Sequence, residues 1–379
     1  MPRRPRPKNK VMAHARTHHS DRVLIVITVC FLLGGLLALG SASMVLAYKN
    51  LGSIAGYALR QLILGGGVGI LALIVASRIP YRFWRRAALP LLLCTFVLLA
   101  LVFVPRISSL SGGATRWLRL GPISFQPSEL LKLAFIIYLA SWLDARRREV
   151  ASVSYGMIPF GLMLGIVGVF LVMQPDIGTL FVIVVTAGFL YFFGGGRVSQ
   201  VITLAGLGIA AFYLVIQSAP YRASRLLVFL DPGKDPLGAG YQITQASIAI
   251  GSGGFWGRGF GRSIQKYLYL PQPMGDSIFA IFAEEMGFLG ALFLIAAFFF
   301  LFWRGIAIAR RAPDVFGMLL AGGIATGMMT QAFVNMAAIS GLLPLTGVPL
   351  PFVSYGGTSL AVTLAGVGIL LNISKSTHS

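Results

Sequence analysis

Asp276, in Met274-Gly275-Asp276-Ser277, stands at the mouth of a long apolar run, and Glu284 and Glu285 lie inside that run. A carboxylate within lipid is costly and persists where it pairs, binds or reacts. An acid at the edge of such a run can take a proton from an attacking hydroxyl, or hold a hard cation such as Mg²⁺. It can also cap the helix that begins at Ser277, and capping does not exclude chemistry. At about 1.5 Å of rise per residue, Glu284 and Glu285 lie ~12–14 Å further along the helix. Adjacent helical positions point about 100° apart. The two glutamates are therefore expected to face different partners, one of them inward to Lys132 or Arg60. Glu129 and Lys132 stand at i, i+3 on one helix face. For Glu129, Glu284 and Glu285 two readings stay open: a buried network that fixes helix register, or a direct part in chemistry.

The histidines His14, His18, His19 and His378 all lie close to the chain ends. Chemistry beside Asp276 must then use carboxylates, Lys, Arg, Tyr or a metal that accepts oxygen ligands. Asp231 and Asp235, in Asp-Pro-Gly-Lys-Asp-Pro, read as turn residues. Asp176 reads as the cap of a helix from residue 177. Arg116, Arg258, Arg262 and Lys266 are cations outside the apolar runs. They suit an anionic ligand, above all a lipid phosphate, and equally an ordinary headgroup contact. The glycine-rich stretch 251–261 lacks the strand–helix setting of a nucleotide loop. It lets backbone approach a ligand or another helix. Residues 343–358 form a stiff Pro/Gly segment in which Ser354 and Tyr355 are polar handles.

The elements that must position these residues are membrane helices. The chain is 56% apolar and only 11% charged, which excludes an ordinary globular domain. Its net charge of +20 would suggest nucleic acid in a soluble protein. Here inner-face loops rich in Arg account for it, so no nucleic-acid partner is expected. Cys30 and Cys94 fall in apolar runs, which argues against a disulfide framework or a thiolate metal site. About ten apolar runs, each near the ~20 residues of a span, predict an all-α polytopic membrane protein. They cover 23–47, 54–77, 87–104, 127–143, 156–173, 177–194, 201–217, 277–303, 316–340 and 356–373. The first run lacks a convincing cleavage site and reads as a span rather than a removed signal.

The Lys/Arg distribution predicts both ends inside. Residues 1–22 then form a basic cytosolic tail that tethers to the inner leaflet, 23–373 one ten-helix membrane domain, and 374–379 a second tail. Two outer connections are long, 105–126 and 218–276. The latter, between helices 7 and 8, carries Tyr241, Phe255, Trp256, Tyr267 and Tyr269, as expected of segments lying in the outer interface. No internal repeat suggests an inverted-repeat transporter.

Taken together, several ordered blocks resemble the SEDS family (shape, elongation, division and sporulation proteins). They are Arg116-Trp117, Gln126-Pro127-Ser128-Glu129 with Lys132, Gln174-Pro175-Asp176, Phe229-Leu230-Asp231-Pro232, Gly240-Tyr241-Gln242, Gln265-Lys266, Leu270-Pro271, Asp276, Glu284-Glu285 with Gly287, and Pro349 to Gly357. The blocks at 240–242 and 263–271 look more like the division branch than the elongation branch. The family usually shows His-Thr before the key Asp, whereas this chain has Met274-Gly275, and it has Gln272 where Glu is frequent. The resemblance implies a ten-helix fold and a peptidoglycan glycosyltransferase that polymerises lipid II at the outer face of the bacterial cytoplasmic membrane, at the division septum. It implies undecaprenyl diphosphate as leaving group and a class B penicillin-binding protein, with other division proteins, as partners. On that reading Asp276 is the catalytic base or a ligand for a divalent cation such as Mg²⁺. Arg116, Lys266, Lys132, Arg258 and Ser354 bind substrate, and Glu129, Glu284 and Glu285 hold the intramembrane network. A lipid flippase or a non-enzymatic division scaffold are the rival readings; a flippase would use Glu284, Glu285, Lys132 and Arg60 as a polar path.

Overall fold

A computed structural model describes residues 20–104, 108–111, 114–120, 123–217, 227–231, 233, 235 and 238–376. Most of the expected tail 1–22 therefore lies outside the described residues. Asp21 accepts a hydrogen bond from Leu24 N and caps α1 (Arg22–Leu51). The chain continues through α2 (Gly56–Arg78), whose middle, Gln61–Gly67, is wound as π-helix, and α3 (Tyr81–Leu101). After a small sheet come α4 (Pro127–Ala145), α5 (Val153–Met173), which opens in π-helix over Val153–Met157, α6 (Ile177–Phe193) and α7 (Val198–Gln217). Then follow α8 (Ala239–Ser252), α9 (Ile278–Arg310), α10 (Val315–Ile339) and α11 (Gly357–Lys375).

The protein is all-α and polytopic, with eight helices among the described residues long and apolar enough to cross a membrane. Two helices separate this from the ten expected. α6 is apolar but has only 17 residues, and α4 carries Glu129, Lys132 and Asp144 along its 19.

Both long connections differ from plain loops. Within 105–126 the strands β1 (Ser108–Ser111), β2 (Ala114–Leu120) and β3 (Ile123–Phe125) form an antiparallel sheet in the order β1-β2-β3. Trp117 pairs with Ser109, and Leu118 with Ser108 and Phe125. Within 218–276, α8 is followed by tight turns that fold back on α9. That return is possible because α9 is broken at Gly287, whose φ of 67° and ψ of −168° are not helical. The break frees backbone groups that residues 254–259 then meet. Arg258 N donates to Glu284 O, Gly259 N to Glu285 O and Phe288 N to Gly254 O, at 3.0, 3.0 and 2.9 Å. Only glycine permits this approach: a Cβ on Gly257 would lie 2.2 Å from Glu285 O, at a backbone φ of +82°. The glycine-rich stretch thus serves helix contact.

The core gathers around α10 and α11, and α2 packs on α11 through small residues, as close helix approach in lipid favours. A Cβ on Gly368 would fall 2.4 Å from Leu73 O. Between α10 and α11, residues 341–356 form a strap over the helix ends. The amide of Gln61 reads it: Gly356 N donates to Gln61 Oε1 at 3.1 Å, and Gln61 Nε2 approaches Ser354 O at 3.5 Å.

Candidate active site

Asp276 is the last residue but one before α9, and its placement depends on main-chain anchors. Asn335 of α10, buried to 2% exposure, donates through Nδ2 to Asp276 O at 2.9 Å and to Val348 O at 2.8 Å. The strap holds the two preceding residues. Ser354 Oγ donates to Gly275 O at 2.7 Å and accepts from Leu350 N at 2.8 Å, and Tyr355 N donates to Met274 O at 2.8 Å. Met274 and Gly275 are thus held by their carbonyls, and the departure from His-Thr leaves the acid's support in place. Burial pushes the Tyr355 hydroxyl above the usual tyrosine range, against the lowering pull of Arg60, so it stays protonated at neutral pH. From α8, Gln242 Nε2 reaches Ser277 Oγ at 3.0 Å and Asp276 Oδ1 at 3.4 Å. Ser277 Oγ in turn donates to Pro271 O at 2.8 Å. The helix α9 starts one residue later than the sequence suggests, so Ser277 and not Asp276 occupies its N-cap position.

Arg116 of β2 reaches the same place from the other side. Its Nε donates to Gln174 O at 3.2 Å, and its Nη2 donates to Pro175 O. Its Nη1 and Asp276 Oδ2 each lie 3.9 Å from the point a Cβ on Gly347 would occupy. Gly347, at a φ of +69°, therefore leaves one small space bordered by a guanidinium and a carboxylate. The β2 strand and the α5–α6 turn position the cation. Asp176 fixes that turn: it caps α6 by accepting from Thr179 N at 3.3 Å and accepts from Ser128 Oγ at 2.9 Å.

The remaining candidates fall into two buried ion-pair sites. Lys132 Nζ donates to Glu129 at 2.9 Å and to Gln331 Oε1 at 2.5 Å, and Gln331 Nε2 donates to Pro349 O at 2.9 Å. Glu284 and Glu285 pair with neither Lys132 nor Arg60. Glu284 accepts from Ser263 Oγ, from Ile264 N at 3.0 Å and from Gln265 N at 3.3 Å, with Arg258 Nε 3.6 Å away. Glu285 accepts from Ser41 Oγ at 2.6 Å, Ser263 N at 3.3 Å and Lys266 Nζ at 3.1 Å. Both glutamates meet one segment, 258–266, although they point apart, because that segment wraps the helix next to its break. Lys266 is fully buried, and Ser354 is buried and already bonded to main chain. Sequence reasoning missed Gln61, Gln331 and Asn335, and noted Gln242 only as part of the Gly240-Tyr241-Gln242 block, with no role. The available signal was a polar amide inside, or beside, an apolar run, where a partner is obligatory.

These features define a polytopic membrane protein with a carboxylate–guanidinium site built on the ends of its helices. The family model for cell cycle proteins of the FtsW, RodA and SpoVE type matches residues 21–379, and the chain belongs to that family. It is 40% identical to the stage V sporulation protein E of Bacillus subtilis over 94% of this chain and 97% of that one. It is 42% identical to a probable peptidoglycan glycosyltransferase FtsW of Trichlorobacter lovleyi over 93% of each. Among solved structures, it superposes with a TM-score of 0.77 on a chain of a peptidoglycan synthase complex, described for the coordination of polymerization and crosslinking, at 29% identity over 94% of this chain and 97% of that one. The rod shape determining protein RodA of Thermus thermophilus gives a TM-score of 0.69 at 28% identity, over 95% and 98% of the two chains.

Proposed function

We propose that this protein is a peptidoglycan glycosyltransferase that polymerises lipid II into glycan strands for septal wall synthesis. The observation that carries the reading is the space at Gly347, bordered by Asp276 and Arg116, in a chain 42% identical to a probable FtsW. The reaction joins two lipid-linked disaccharides. The 4-hydroxyl of an acceptor GlcNAc attacks the anomeric carbon of a donor MurNAc, with inversion, and undecaprenyl diphosphate leaves. Asp276 takes the hydroxyl proton as the new bond forms. Arg116, its other donors fixed on Gln174 and Pro175 carbonyls, faces the charge that grows on the diphosphate. Arg258, half-exposed beside Glu284, is the second outer cation. In the alternative reading Asp276 would hold a divalent cation such as Mg²⁺ in place of acting as base, and the cation would supply positive charge to the leaving diphosphate.

The protein sits in the bacterial cytoplasmic membrane with both termini inside and the Asp276 face outside, as the positive-inside bias requires. Its partner is a class B penicillin-binding protein, whose transpeptidase crosslinks the strands produced here. Polymerisation of labelled lipid II by the purified protein, alone and with its transpeptidase, tests the reading. Wild type is expected to give long glycan and Asp276→Asn none, while inserting and melting normally. Full polymerisation by Asp276→Asn would remove the base assignment. Product from no sample would discard the enzyme and leave headgroup translocation as the next assay.

A further inference from the structure

The reaction just described calls on Arg258 but leaves its buried neighbours Glu284, Glu285 and Lys266 unused. It is a densely bonded polar site among the described residues. Two carboxylates meet two cations, Arg258 and Lys266, together with the hydroxyls of Ser41 and Ser263. An ammonium has three N–H donors. Those of Lys266 go to Glu285 at 3.1 Å, Ser41 Oγ at 3.2 Å and Gly261 O at 2.6 Å. The side chain has no exposure, so none remains for a phosphate.

The position of this pair in the chain gives it a purpose. Lys266 and Glu285 are 19 residues apart in sequence, and Asp276 lies about midway between them. Their contact closes a loop that has the acid at its tip. Closing a loop removes conformational freedom from everything inside it. From Lys266 to Ser277 the loop has no regular helix or strand: turns from Gln265 O to Leu270 N and from Gln272 O to Gly275 N carry it to the start of α9, whose first residues run on to Glu285. Asn335 and Ser354 fix the tip from one side, and the ion pair fixes both ends from the other. Ser41 ties the same pair to α1.

We infer that Lys266 is a positioning residue and not a substrate ligand: with Glu285 it clamps the base of the loop that presents Asp276. The inference rests on the glycosyltransferase reading for its activity measurement, and a second measurement is independent of it. Lys266→Met leaves Glu285 buried without its cation, a costly state. The double variant Lys266→Met with Glu285→Gln removes both charges and restores a neutral, compatible pair. The test uses full-length protein with its transpeptidase. It reads kcat and KM for lipid II polymerisation, and amide hydrogen exchange over residues 257–276. Lys266→Met is expected to lower kcat about tenfold or more with KM within about twofold, and to speed exchange across the loop. The double variant is expected to recover most of the rate and the slow exchange.

A double variant as inactive as Lys266→Met but with native exchange would overturn the clamp, because only a cation needed by the substrate explains it. So would a double variant that fails to insert. If wild type itself makes no glycan, the enzymatic reading fails while the exchange pattern still decides the clamp.

Discussion

The two buried glutamate–lysine sites share chemistry and differ in reach. Glu129 and Lys132 meet at 2.9 Å within one turn of α4, whereas Glu285 and Lys266 meet at 3.1 Å after the chain has looped back on itself. The first pair is satisfied as soon as its helix forms, and its tertiary link is the amide of Gln331. The second exists only when α1, the 257–266 segment and the broken α9 have come together. A local pair fixes which way a helix face looks; a distant pair fixes where a loop sits. The same two residue types therefore orient a span in one case and hold the segment that carries Asp276 in the other.

The sharpest way to break this comparison is to deny the second pair its assembly. In Gly257→Val, the new Cβ meets the Glu285 carbonyl at 2.2 Å on a left-handed backbone. Overpacking and strain together should cost about 4 kcal/mol or more, and the change should abolish recovery of folded protein in detergent. Lys132→Met tests the local pair. It strands Glu129 in the membrane at a cost of about 3 kcal/mol, read as a lower melting temperature, yet it should leave exchange over 257–276 unchanged. Accelerated exchange there would show that the two sites are one network. The smallest effect is expected from Ser41→Ala, which removes one hydroxyl from the Glu285 carboxylate and about 1 kcal/mol. If Ser41→Ala proved as damaging as Lys132→Met, the link to α1 would outweigh the ion pair itself.

The legibility of the sequence follows the same division between local and distant. Glu129 and Lys132 were readable because i, i+3 spacing is a property of one helix. Asp176 as a cap and the long apolar runs were readable for the same reason. Asp276 stood out as a charge at the edge of a span. The partner of Glu285 was not readable. Lys132 and Arg60 are the cations the apolar runs offer, because Lys266 falls in a connection between spans, and only the fold around the break at Gly287 carries Ser263, Gln265 and Lys266 of that connection into the interior. The strands at 108–125 were missed because short polar runs such as Ser108–Ser111 carry no period-two pattern strong enough to set against a loop. The amides Gln61, Gln331 and Asn335 bond across elements far apart in the chain, so no spacing announces them.

The grip on residues 274 and 275 through their carbonyls has a bearing on how such a site can be altered. A Cβ on Gly275 would make only ordinary contacts, the nearest 3.5 Å away at the Gln272 side chain, and its backbone needs no left-handed φ. The residue before the acid is thus an exchangeable socket on a fixed mount, whereas Met274 packs against the core. Lineages can retune what lies beside the carboxylate without relocating it, and an experimenter can seat a cysteine, and on it a fluorophore or a crosslinker, one residue from Asp276.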